Sequence, residues 1–258
     1  MPQFDDSAGG SSRRFQTTCW SLVLAAGQQA SDEAADRALA TLCATYWKPV
    51  YAYVRGRIRN VEDARDLTQE FFASVLERGT LRRADPARGR FRTFLLTTCQ
   101  RFLANAVRDQ SRQKRGGRCR TFSLMIDRAD FDQIDRCADP QGVDEQTAER
   151  IFEREWVLTL LESVLQLIRS EFEAKGKREL FEALKSHLSE GSADTFAELG
   201  QMLGMRENAV RVACHRMRTR YRELIRAEIA ATVDSPGMVD DEIRRLFAVV
   251  GGSSGNSV

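Results

Sequence analysis

The stretch from Thr195 to Ile225 constrains the fold most, because it predicts two helices joined by a tight turn. Thr195 and Glu198 have the spacing of a capping box at the start of the first helix. Gly204 follows that helix and can supply the left-handed backbone conformation that a sharp turn needs. The second helix carries a predicted buried stripe at Val210, Ala213, Cys214, Met217, Tyr221 and Leu224.

The second of these helices also has a cationic face, formed by Arg211, His215, Arg218 and Arg222. A helix with one apolar and one cationic face can lie in the DNA major groove and offer guanidinium groups to guanine and phosphate. The alternative is a solvated arginine-rich face on a helix that only packs against the core. The capping box, the turn glycine and the two-sided helix together favour DNA binding.

Composition and charge indicate a mostly helical chain with two kinds of surface. The chain has 258 residues, enough for one or two domains, and only five prolines. Its net charge of +2 conceals acidic stretches at 60–77 and 127–155 and basic stretches at 82–120 and 206–226. This segregation suggests one surface for nucleic acid and another for a protein partner.

The chemistry-bearing residues predict no catalytic site, metal site or cofactor. The six cysteines form no CxxC pair, and the two histidines are far apart, so we expect reduced thiols without disulfides. The sequence contains no P-loop and no GxSxG motif, and an enzyme finds little support. Without a signal peptide or an apolar run of membrane-spanning length, we expect a cytoplasmic protein with no membrane partner.

Changes in periodicity divide the chain into segments. Residues 1–16 are polar and predicted to be disordered, and residues 119–146 are predicted to be a flexible acidic linker with at most one weak helical turn. A break at Ser235–Pro236–Gly237 precedes a short amphipathic helix and a Gly/Ser tail. The predicted domains are therefore 17–118 and 147–232, followed by a C-terminal extension at 233–258.

The segment VEDARDLTQEFFASVLER predicts a helix with an acidic face that includes Asp63, Asp66 and Glu70. Asn60 is placed to cap this helix. Periodicity alone favours a solvated acidic face, and the alternative is a docking site for a basic partner.

The stretch from residue 79 to 118 mixes arginines with phenylalanines. Cations neutralise phosphates, and aromatic rings can stack on unpaired bases, which contributes about 1–3 kcal/mol per base. The alternative is that the phenylalanines belong to the core, which we expect for Phe102 and less for Phe91 and Phe94.

Three segments resemble the bacterial sigma-70 family of RNA polymerase initiation factors. VEDARDLTQEFF resembles region 2.2, GRFRTFLLTTCQRFLANAVRDQSRQKR resembles regions 2.3 and 2.4, and LGMRENAVRVACHRMR resembles the region 4.2 helix-turn-helix. The resemblance covers roughly residues 40–118 and 150–228 and is closest to the extracytoplasmic-function group, which has only regions 2 and 4. Arg206–Glu207–Asn208 stands where Ser-Pro-Gly is common, so the usual serine cap is missing.

The resemblance implies an all-α fold of two helical domains, a region 2 bundle and a region 4 helix-turn-helix. It implies promoter DNA and core RNA polymerase as partners, the latter through its β′ coiled coil and its β flap, with an anti-sigma factor as a further candidate. The implied polymerase-binding residues are Asp63, Asp66, Gln69 and Glu70.

The same resemblance assigns two DNA-binding sets. The −35 element would be read as duplex by Arg206, Asn208, Arg211, His215 and Arg218. The single strand of the −10 element would be held by Arg88, Arg90, Phe91, Arg92, Phe94, Thr98, Arg101, Asn105 and Arg108.

An ordinary helix-turn-helix regulator that binds duplex DNA without polymerase is the alternative function. Such regulators usually dimerise on half-sites about one helical turn apart. A second basic and aromatic module in the same chain favours the monomeric design of a sigma factor.

Overall fold

The computed structural model describes residues 33–77, 80–85, 89–112, 145–188, 194–233 and 236–251, together with residues 23, 24, 26, 131, 134 and 135. This described part is all α-helical and contains no strand, which confirms the predicted fold class. The predicted disordered N-terminus at 1–16 and the Gly/Ser tail lie outside the described residues. Among the described helices, none is long and apolar enough to cross a membrane.

Eight α-helices occur in the described ranges, and short 3₁₀ turns follow α2 and α5 and precede α8. The helices are α1 (Glu33–Arg55), α2 (Val61–Glu77), α3 (Phe91–Arg112), α4 (Glu145–Ala174), α5 (Arg178–Leu184), α6 (Phe196–Leu203), α7 (Glu207–Ala230) and α8 (Val239–Gly251).

Helix α4 lies at the centre of the fold. It packs against α1 on one side and against α7 and α8 on others, so one continuous core runs through both predicted domains. Trp156 and Leu160 of its predicted apolar stripe are each 1% exposed. The helix begins at residue 145, two residues before the predicted start of the second domain.

Local capping interactions begin two helices where the sequence predicts them. The side-chain oxygen of Asn60 accepts hydrogen bonds from the backbone N–H groups of Glu62 and Asp63, at 2.9 and 3.2 Å. At α6, the backbone N–H of Glu198 donates to Thr195 Oγ1 at 3.3 Å, and the Thr195 N–H donates to the Glu198 carboxylate at 2.8 Å. The first backbone N–H groups of a helix have no acceptor within the helix. Because Asn60 and Thr195 supply that acceptor, these caps determine where α2 and α6 begin.

Two glycines shape the turn between α6 and α7. Gly204 ends α6 in the left-handed conformation, with φ 63°. Gly200 accepts a hydrogen bond from the Met205 N–H, and a Cβ on Gly200 would lie 2.8 Å from the Met205 carbonyl oxygen. The sequence predicted the role of Gly204 but not that of Gly200. Arg206 makes no side-chain cap at α7, as expected where the usual serine is missing.

The described part of the acidic linker is anchored to the bundle. The ring of Phe131 contacts Trp47 and Tyr51, with ring centroids 5.2 and 4.7 Å apart. Ile134 is buried, and the carboxylate of Asp135 bonds to side chains of α1 and α2. The loss of periodicity did not predict this anchoring, because the contacts join residues far apart in the sequence.

Replacing Gly200 with alanine tests the tight turn. Helix propensity alone would favour alanine by about 1 kcal/mol, but the new Cβ meets a backbone carbonyl that cannot move without opening the turn. We expect Gly200→Ala to lower the free energy of unfolding by roughly 1–3 kcal/mol in urea denaturation. The exposed neighbour Gln201→Ala serves as control, and equal or greater stability of Gly200→Ala would contradict the close approach.

Candidate nucleic-acid interface

The acidic face of α2 is open to solvent. Asp63 and Asp66 are exposed, and Gln69 and Glu70 are half-buried. Within the described part of the chain, neither Asp63 nor Asp66 forms an ion pair. The opposite face of the helix packs into the core through Ala64, Leu67 and Phe71.

The linker contact lies beside this acidic face. Asp135 accepts hydrogen bonds from Tyr51 Oη at 2.7 Å, Arg55 Nε at 3.0 Å and Arg65 Nη2 at 3.2 Å. Burial, together with the hydrogen bond to Asp135, raises the pKa of Tyr51 to about 12. Arg65 also pairs with Glu62 at 3.2 Å, so its guanidinium bonds both to the linker carboxylate and to a carboxylate of its own helix.

The structure divides the residues assigned to the −10 strand into exposed and covered groups. Arg101, Asn105 and Arg108 are exposed along one face of α3. Phe94 and Thr98 are half-buried, and the Thr98 hydroxyl donates to the Phe94 carbonyl oxygen at 2.8 Å. Arg88 lies outside the described residues.

The start of α3 is covered. Phe91 is 4% exposed and packs edge-on against Tyr46, with centroids 5.4 Å apart, so it is a core residue in this conformation. Arg92 is 3% exposed, and its guanidinium lies 4.7 Å from the centre of the Trp156 ring. Burial lowers the pKa of Arg92 to about 10, which keeps it charged at neutral pH.

A carboxylate from the C-terminal helix neutralises this buried arginine. Glu242 of α8 bonds to Arg92 Nη2 through one oxygen and to Arg90 Nη2 at 2.7 Å through the other. The Glu242 side chain is 1% exposed. The sequence did not single out Glu242, because Asp240 and Asp241 on the same helix look equivalent to it there.

The second predicted DNA surface lies at the beginning of α7. Arg206, Asn208, Arg211 and His215 are all exposed there. Arg211 pairs with Glu207 at 2.5 Å, and its guanidinium lies 5.5 Å from the centre of the Phe196 ring. Arg218 is held differently, because its Nε donates to the His187 carbonyl oxygen at 2.8 Å. Arg218 is nevertheless exposed, as is Arg222, so the whole cationic face of α7 is accessible.

The buried thiols are not suited to nucleophilic chemistry. Burial raises the pKa of Cys43 to about 11 and that of Cys99 to about 12, so both stay protonated at neutral pH. Among the described residues, no group of three or more histidine, cysteine or acidic side chains is arranged to hold a metal ion.

Residues 42–113 match the family model described as Sigma-70 region 2. The matched residues make up less than a third of the chain. This matched segment, region 2, contains most of α1 and all of α2 and α3. Helices α4 to α8 follow the matched residues.

No curated protein and no solved structure matches the chain.

Replacing Asp135 with asparagine tests how the linker is held on region 2. The asparagine side chain has one acceptor oxygen where the aspartate has two. Its NH₂ group is a donor, so it cannot accept the hydrogen bonds that Tyr51, Arg55 and Arg65 donate to Asp135. We expect Asp135→Asn to lower the free energy of unfolding by roughly 1.5–3 kcal/mol, measured by urea denaturation. Asp66→Asn is the matched control, since Asp66 is exposed and forms no ion pair in the described part of the chain. Equal stability of the two variants would show that the linker contact contributes nothing.

Proposed function

We propose that this chain is a sigma factor of the extracytoplasmic-function type, which brings core RNA polymerase to promoters and helps to open them. The observation that carries the proposal is the Sigma-70 region 2 match over residues 42–113. Under this proposal, residues 17–118 form region 2 and residues 147–232 form region 4, and the protein works in the cytoplasm with the polymerase.

The acidic face of α2 is the proposed polymerase-binding surface. Asp63 and Asp66 are exposed and carry charges that no cation in the described part of the chain neutralises. These carboxylates remain hydrated while the protein is free, so they carry no desolvation cost. They can pair with the cations of a basic partner when a complex forms. Gln69 and Glu70 extend the same face, and we propose the β′ coiled coil as the partner.

The exposed stripe on α3 is the proposed path of the −10 strand. Arg101, Asn105 and Arg108 offer two cations and an amide along one side of the helix, which suits a sugar–phosphate backbone. Unstacking a base step costs a few kcal/mol, and a protein that grips the single strand more tightly than the duplex offsets this cost without catalysis.

The beginning of α7 is the proposed reader of the −35 element. In helix-turn-helix proteins the N-terminal residues of the second helix contact base edges in the major groove. Arg206, Asn208 and Arg211 stand at that end, and His215 follows one turn later. The capped α6 and the tight turn at Gly200 and Gly204 hold this helix end in position. We propose the β flap as a further contact of this domain and an anti-sigma factor as a candidate regulator.

Transcription with purified components tests the proposal. The full-length protein is mixed with sigma-free core RNA polymerase and a library of promoter fragments, and transcripts are sequenced. We expect transcripts from specific fragments only when both proteins are present. An absence of transcripts from every fragment, together with tight dimeric binding to duplex DNA, would favour the ordinary helix-turn-helix regulator instead.

Reversing one charge on α2 tests the polymerase surface in the same assay. We expect Asp66→Lys to weaken binding to core polymerase at least tenfold and to reduce transcription in proportion, with duplex DNA binding by the full chain unchanged. Glu179→Lys is the matched control, because Glu179 is an exposed glutamate on α5, away from this face. Equal loss of polymerase binding in both variants would contradict a specific role for α2.

A further inference from the structure

We propose that helix α8 is an intramolecular competitor of DNA, with the Glu242 carboxylate occupying a phosphate-binding pair formed by Arg90 and Arg92. The inference rests on the proposed function, since it assigns these arginines to the −10 strand. It adds a regulatory element that lies outside the matched region 2.

Arg90 and Arg92 surround the Glu242 carboxylate as the arginines of an anion-binding site surround a bound anion. Two guanidinium groups from the start of α3 converge on a single carboxylate, and each takes one of its oxygens. Glu242 arrives from a helix 150 residues further along the chain. Guanidinium groups bind carboxylates and phosphates with the same donor geometry. A carboxylate placed in this way therefore stands where a DNA phosphate would be held.

The carboxylate leaves part of the site unused. Arg92 Nη1 is buried and has no hydrogen-bond acceptor among the described residues. Buried polar groups are normally paired, so an orphaned donor on a buried guanidinium calls for an explanation. A DNA phosphodiester has two non-bridging oxygens, as many as a carboxylate, and its two ester oxygens are further, weaker acceptors that can face this remaining donor. The arginine pair thus has a donor left over that a phosphodiester in place of the carboxylate can use.

Helix α8 also touches both proposed DNA-binding halves. Arg245 bonds to Glu153 of α4 at 2.9 Å and to Glu242 at 3.3 Å. Asp240 pairs with Arg226 of α7, with one N–O distance of 3.1 Å. Val239 and Leu246 are buried beneath the helix. In this position α8 covers Arg92 and ties the start of α3 to the rest of the core.

The attachment can be reversed. The ion pairs that join α8 to its neighbours without Glu242, Asp240–Arg226 and Arg245–Glu153, are at least partly exposed, and such pairs contribute little to stability. A helix of 13 residues is marginal in water by itself, so its order depends on docking. The buried contact with Glu242 is the exception, because removing one partner leaves the Arg92 charge buried without a counter-charge. Loss of the Glu242 charge should therefore release α8 and expose both arginines.

The test compares the affinity of four proteins for a fluorescent single-stranded DNA oligonucleotide of random sequence. Binding is measured by fluorescence anisotropy at a fixed salt concentration. The four proteins are the wild type, Glu242→Gln, Asp241→Asn and a chain that ends at Val233. Asp241→Asn is the matched control, since it removes the same charge from the adjacent position, where Asp241 pairs with Arg244 at the surface. Circular dichroism confirms that each protein is helical.

We expect Glu242→Gln and the shortened chain to bind at least tenfold more tightly than the wild type, and Asp241→Asn to stay within twofold of it. Adding Arg92→Ala to the shortened chain should remove most of the gain. Equal affinities of wild type, Glu242→Gln and shortened chain, including no binding by any of them, would overturn the inference. An equal gain from Asp241→Asn would also overturn it, because general charge would then explain the effect.

The transcription assay separates this inference from the proposed function. If no transcripts form but the gain in affinity persists and depends on Arg92, the sigma assignment fails and the competition between Glu242 and DNA stands. If transcripts form but the four affinities are equal, the sigma assignment stands and the competitor role of α8 is wrong.

Discussion

The buried charge of Arg92 is the constraint on which the arrangement of the helices depends. Its guanidinium lies over Trp156 in the centre of α4 and bonds to Glu242 of α8, so three helices meet at one cation. A buried charge is costly unless it is paired, and the pairing here requires α8 to lie across the start of α3. Because α4 also packs against α1 and α7, region 2 and the helices after it share one core in this conformation.

Local features of the fold could be predicted from the sequence, and long-range contacts could not. The cap at Asn60, the capping box at Thr195 and the turn at Gly204 depend on residues within four positions of each other, and all three are confirmed. Asp135 bonds to Arg55, 80 residues away, and Glu242 bonds to Arg92, 150 residues away. The residues next to Asp135 and Glu242 in the sequence do not predict these contacts. Gly200 is a local exception: Met205 is only a few residues away in the sequence, but its carbonyl oxygen approaches Gly200 only once the turn has formed.

In the candidate interface, too, exposure that depends on local periodicity could be predicted, and burial that depends on long-range contacts could not. Exposed charges on α2, α3 and α7 lie where helical periodicity places them, so Asp66, Arg101 and Arg211 are accessible as expected. The start of α3 differs, because Phe91 packs against Tyr46 and Arg92 is covered by α8. Both residues come directly after a loop, where periodicity carries little information about burial. Their assignment to the −10 strand therefore remains a prediction, which requires α8 to move away from Arg92 and Phe91 to leave its packing against Tyr46.

The central proposal is that this chain, bound to core polymerase, opens promoter DNA and holds one strand through region 2. Permanganate oxidation of unpaired thymines on a promoter fragment measures this opening directly. The account predicts reactive thymines near the −10 element only when the chain and core polymerase are both present, with reactivity reduced by Arg101→Ala. Protection of duplex DNA by the chain alone, with no reactive thymines after polymerase is added, would contradict it.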